Sequence, residues 1–136
     1  MRYAIGTTVE QPYDAVVAQV RAALADQGFG VLTEIDIKAT MKAKLDADVA
    51  PQVILGACRP PLALAALEAE PSIGLLLPCN VVVRALDAST TAVEAVDPQT
   101  MVAMTNNPAL QAVANDAAHR LSAALNGLTD TTNADV

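Results

Sequence analysis

Residues Gly74 to Arg84 read "GLLLPCNVVVR", a nearly unbroken apolar run with Pro78, Cys79 and Asn80 at its middle. Proline has no N–H to give a sheet ladder, so it belongs at an edge, a strand start or a bulge. The run therefore divides. Gly74 to Leu77 forms one segment, a bend or bulge falls at Pro78, and a strand starts at Asn80. Asn80 tolerates the turn because its side chain can bond its own neighbouring backbone. Bulges re-aim side chains and gather beside functional sites, which marks Cys79 as a candidate. Entry into an edge strand with a buried thiol would account for the same residues without any site.

Upstream, "RYAIGTTV" (2–9) predicts a first strand and "QPYDAVVAQVRAALADQG" a helix, with Pro12 in its first turn and Gly28 just past its end. Tyr13, Val16, Val17, Val20 and Leu24 share one stripe of that helix. "FGVLTEID" (29–36) is a second strand. A short helix capped by Asp36 follows, expected to bury Ile37, Met41 and Leu45. "PQVILGAC" (51–58) is a largely apolar, interior strand. Pro60 and Pro61 then open a helix that ends before Pro71.

Downstream, "NVVVRALD" and "TTAVEAVD" form two strands joined by a hairpin at "ASTT". A closing helix begins with Asn107 as cap and Pro108 in its first turn, and stops at Gly127. Leu110, Val113, Ala114, Ala117, Leu121 and Ala124 are its buried stripe. The order β-α-β-α-β-α-β-β-α describes a single α+β domain over 1–127, with residues 128–136 a flexible tail. The sheet is expected to be mostly antiparallel or mixed, with helices packed on one face. Its other face also needs burial, which a homodimer would supply.

At 136 residues, 53% of them hydrophobic, the chain has ample material for one core. Only 2% of residues are aromatic, so stacking platforms for bases are lacking. The net charge is −7 and the pI about 4.4, which disfavours nucleic acid and anionic membrane surfaces as partners. The first residues lack a signal-like apolar core, and no apolar stretch reaches membrane-spanning length. A cytoplasmic protein is the expectation, and two cysteines make no disulfide framework.

Cys58 ends a strand immediately before a helix start, where unpaired N–H groups and the adjacent Arg59 would favour a thiolate. Against this stands the ordinary role of cysteine as a small buried hydrophobe. The 20 residues between Cys58 and Cys79 fit a strand–helix–strand return that could bring the two together. A zinc site needs four ligands and the chain has one histidine, His119, so a soft monovalent metal on two thiolates or a redox dithiol are the metal and thiol alternatives. Lys38 and Lys42 share a helix face near Lys44, forming either an anion-docking face or an ordinary solvated one. Glu34 could serve acid/base work with Asp36, although capping accounts for Asp36 by itself.

The segments "GFGVLTEIDIKATMKAKL", "ILGACRPPLALAALEAEPSIGLLLPCNVVVR" and "VEAVDPQTM" together resemble domain of unknown function family 302, in order from about residue 3 to 125. The resemblance implies a compact α+β fold with a curved sheet backed by helices, self-association, and no established activity. Both motif cysteines stand in place as Cys58 and Cys79. Where the family motif carries Asn after the first cysteine, this chain has Arg59. Three functions follow as alternatives. The first is a non-enzymatic homodimeric module holding a small ligand or soft metal near Cys58, Arg59, Pro78, Cys79 and Asn80. The second is a thiol redox or sulfur-handling protein using the two cysteines. The third is a structural or regulatory interaction domain with both cysteines in its core. No cofactor is specified.

Overall fold

The computed structural model describes residues 2 to 134, and side chains from 2 to 128. Its strands are β1 (Ala4–Val9), β2 (Gly30–Asp36), β3 (Gln52–Cys58), β4 (Cys79–Asp87) and β5 (Thr90–Val96). The helices are α1 (Tyr13–Asp26), α2 (Ile37–Leu45), α3 (Pro60–Ala69), α4 (Gln99–Thr105) and α5 (Gln111–Ala134), with 3-10 turns over Pro71–Leu76 and Pro108–Leu110. All strands pair antiparallel in the order β1-β5-β4-β3-β2, so the strand that follows Pro78 is the middle one.

Side chains alternate across a strand, and the sheet uses both faces differently. Val53, Leu55 and Ala57 of β3, Val81 and Val83 of β4, and Val93 and Ala95 of β5 are buried beneath α1 and α5. Val16, Val20 and Leu24 of α1 share this core with Leu121 and Ala124 of α5, all on the stripes the sequence periodicity marks, and with Leu125 and Leu128, which lie off them. A second, smaller cluster of Ala66, Ile73, Met101, Leu110 and Ala114 joins α3, α4 and the start of α5. Among the described residues, the grooves on the opposite face of β1, β5 and β4 are lined by no helix residue.

Several expectations change. Of the bend or bulge expected at Pro78 the structure has the bend: Pro78 lies just outside β4, after a cis Leu77–Pro78 peptide, and β4 starts at Cys79 rather than Asn80. The bulges fall instead between Val31 and Thr33 and between Ala85 and Asp87. The segment from Gly74 to Leu77 is mostly the end of a 3-10 turn. Helix α2 has its Asp36 cap, accepting from the Ala39 N–H at 2.9 Å, but buries nothing, and Leu45 is 71% exposed. Helix α4 was not anticipated; its start is fixed by Asp97, which accepts from the Gln99 N–H at 2.9 Å. Helix α5 runs through Gly127 instead of stopping there. Gly127 lacks the left-handed φ of a helix stop, and Leu128 beyond it is buried in the core. Residues 135 and 136 of the expected tail lie outside the described residues.

Gly56 in β3 is the tightest point of the sheet. A Cβ built there would lie 2.0 Å from Thr33 Oγ1 and 2.8 Å from Pro78 Cγ. At Gly6, by contrast, the nearest atom would be Cγ of the flexible Glu94 at 3.2 Å. Gly56→Ala should therefore destabilise the protein by about 1–3 kcal/mol in chemical denaturation, as overpacking does. Gly6→Ala should cost clearly less, and equal effects at the two positions would contradict this account of the crowding.

Candidate functional site

Strand β3 pairs with β4 so that Ala57 faces Cys79, which puts Cys58 one position beyond Cys79 on the neighbouring strand. The strand–helix–strand return thus brings the two cysteines to one end of the sheet. Both are free thiols; Cys58 is half-buried and Cys79 buried. Between them and helix α3 lies a cavity of about 30 Å³, room for roughly two waters. Phe29, Ala57 and Cys79 reach it from the main core, and Ala66 and Met101 from the smaller cluster. The cavity sits on the seam between two cores. Cys58, Arg59, Leu62 and Pro78 complete its wall.

The start of α3 differs from the sequence expectation in its donors. Pro60 and Pro61 occupy the first turn and have no N–H to give. The N–H groups of Leu62 and Ala63 both donate to the Arg59 carbonyl at 3.0 Å. No spare backbone donor from these four residues is left to stabilise a thiolate at Cys58. The remaining donor is the Arg59 side chain, whose Nε is buried without an acceptor. Arg59 packs on Gly28, where φ is +83° and an added Cβ would lie 3.0 Å from Nε. A glycine is needed there both for the left-handed turn ending α1 and for the guanidinium.

Cys79 has its own electrostatics. Burial pushes its thiol from the ordinary 9.0 up to about 11, and the nearby Cys58 adds to the shift. At neutral pH its sulfur is a protonated weak donor rather than a nucleophile.

The other sequence candidates lie elsewhere. Asn80 points to the opposite sheet face, where it lines a groove with Gln52, Val82, Arg84 and Glu94. Glu34 pairs with Arg21 of α1 at 2.7 Å, and Asp36 is used as a cap. Lys42 is held by Asp46 and Asp48 at 2.9 and 3.3 Å, so its charge is already answered. Lys38 borders a separate crevice with Tyr13, Asp14 and Asp36. His119 is exposed on α5. Met101 on the cavity wall escaped sequence reasoning because α4 was not anticipated.

With this geometry in place, the profile of the domain of unknown function DUF302 matches residues 5–128. The chain belongs to the DUF302 family. Its fold also matches the crystal structure of an uncharacterized conserved DUF302 protein from Bacillus stearothermophilus, with a TM-score of 0.85 and 29% identity. That match covers 93% of this chain and 98% of the other. No curated protein matches the chain. Among the described residues, no helix of this DUF302 protein is long and apolar enough to cross a membrane.

The Cys79 shift has a consequence for folding. Below pH 9 the thiol is protonated in both folded and unfolded chains, and its contribution is fully present. As pH rises from about 9 to about 11, the unfolded thiol ionises first and the contribution is lost. Stability should fall by about 2–3 kcal/mol across that window in excess of the fall in Cys79→Ala. Parallel curves for the two proteins, measured by urea denaturation against pH, would refute the assignment.

Proposed function

We propose that the chain is a homodimeric binding module, without catalytic chemistry of its own, that holds a small ligand or a soft metal ion at the Cys58–Cys79 cavity. The observation that carries this is the cavity itself: a void at the seam of two cores, walled by both free cysteines and by Arg59. Free thiols fit a reducing compartment such as the cytoplasm. For a metal, two sulfurs suit a monovalent soft ion such as Cu(I). Among the described residues no group of three or more His, Cys, Asp and Glu converges, so a closed zinc site has no support. Metal binding would also have to displace the tightly held Cys79 proton, which favours a small ligand. The same proton argues against Cys79 as a resolving thiolate in redox exchange.

The sheet face opposite α1 and α5 supports self-association. It presents Ile54 beside Val82, with Arg84 and Glu94 the charged pair at its middle, 3.3 Å apart. In a chain of net charge −7, this is a face on which two copies meet without added repulsion. A two-fold axis running along the strands between Arg84 and Glu94 would set each arginine against the other copy's glutamate. Asn80 then belongs to the dimer face, not the cavity.

Two measurements test these parts. Protein purified without added metal should carry a metal or small molecule, seen by elemental analysis and native mass spectrometry, that Cys58→Ser loses. Identical results for both proteins would leave the cysteines as core packing. In sedimentation, Val82→Glu should convert the dimer to a monomer, while Leu64→Glu on exposed α3 should leave it intact. A monomeric wild type, or dissociation by Leu64→Glu alone, would overturn the sheet-face dimer.

A further inference from the structure

We infer that the ligand of the Cys58–Cys79 cavity is a small anion with a compact apolar body, bound through the Arg59 side chain. This rests on the cavity being a binding site, and it adds the ligand's charge and size. Arg21, Arg84 and Arg120 each face a carboxylate, at 2.7, 3.3 and 2.8 Å. Arg59 alone of these four has no carboxylate or hydrogen-bond acceptor among the described residues, and its Nε is buried. The other cations without an ion pair among those residues, Arg2, Lys38 and Lys44, are exposed to water, whereas Arg59 is half-buried.

The cavity wall itself contains no acidic residue. Buried polar groups are almost always paired, and a charged donor in an apolar setting is best met by an anion. The start of α3 offers no competing donors, since Pro60 and Pro61 lack N–H groups and Leu62 and Ala63 use theirs on Arg59. Specificity therefore falls on one guanidinium. Room for about two waters limits the guest to a few non-hydrogen atoms, the size of acetate or thiocyanate. The apolar wall, including Phe29 and Leu62, selects an anion with a soft or hydrocarbon end over a fully hydrated one.

Acetate and acetamide are near-isosteric and differ in charge, so they separate the two parts of the inference. Each is titrated into ¹⁵N-labelled full-length protein, with thiocyanate as a third probe, at an ionic strength held by gluconate, which is too bulky for the cavity. The Arg59 Nε–Hε signal and the Ala57 and Cys79 amides report binding. Acetate and thiocyanate should bind at least tenfold more tightly than acetamide. Arg59→Gln should abolish the difference while leaving the β3 and β4 amide pattern in place, and Leu64→Ala, on the exposed side of α3 and away from the cavity, should keep it. Should Arg59→Gln fail to fold, Arg59→Lys serves: the preference for anions should survive with several-fold weaker binding, because the charge stays and the planar fork is lost. Acetamide binding as tightly as acetate would overturn the anionic ligand and leave the binding cavity standing. Absence of any saturable shift with all three probes would overturn both.

Discussion

The absence of a side chain at Gly56 is what the rest of the structure depends on. Thr33 of β2 and Pro78 just before β4 close over that position from its two sides, with Thr33 Oγ1 2.0 Å from where a Cβ would be. Three chain segments are thereby tied to one register. Strand β2 must bulge after Val31 to put Thr33 opposite Gly56, and β4 must begin directly after Pro78. Once those two conditions hold, Ala57 faces Cys79, and Cys58 falls at the same sheet end. Interiors packed to crystal-like density do not absorb a one-residue slip, since a slip would also turn every buried valine of β4 outward.

Strand β4 serves two surfaces through its alternation. Cys79, Val81 and Val83 face the helices and are buried, while Asn80, Val82 and Arg84 face the open side. Adjacent residues of the Pro-Cys-Asn motif therefore act on opposite faces of a single layer. A substitution that shifts this strand would disturb the cavity and the open face together, whereas an outward change such as one at Val82 leaves the buried set in place. The backbone between them is the shared part.

Much of this was legible in the sequence, and the successes share a cause. The stripes of α1 and α5, the Asp36 cap, the positive φ at Gly28 and the return from Cys58 to Cys79 all follow from local periodicity or local sterics. The failures involve partners distant in the chain. Ile37, Met41 and Leu45 have a helical spacing, but no residue of α2 is buried, because spacing marks a stripe and cannot show whether a core lies against it. Gly127 looks like a helix stop, yet burial of Leu128 carries α5 onward. Asn80 next to Cys79 in sequence does not share its face, because alternation separates neighbours. At α3 the general rule for helix starts failed on two prolines and one carbonyl, all visible in the sequence and simply not counted as lost donors.

The seam between the two cores raises a question of cost. The pocket of about 30 Å³ leaves side chains of both cores without packing partners on one side. A buried donor without an acceptor adds about 1–3 kcal/mol, more when the group is charged. Neither cost serves the fold. The wall includes Ala57, Ala63, Ala66 and Ala117, and a valine at one of these positions would fill the space. An uncharged residue at position 59 would remove the orphan donor, since Arg59 caps α3 through its backbone carbonyl, which any residue supplies. The void and the guanidinium occur at one place, and each would be relieved by the same event, the arrival of an occupant carrying an acceptor. Coincidence of two separable costs that one guest removes is the physical ground for treating this end of the sheet as a site rather than as imperfect packing.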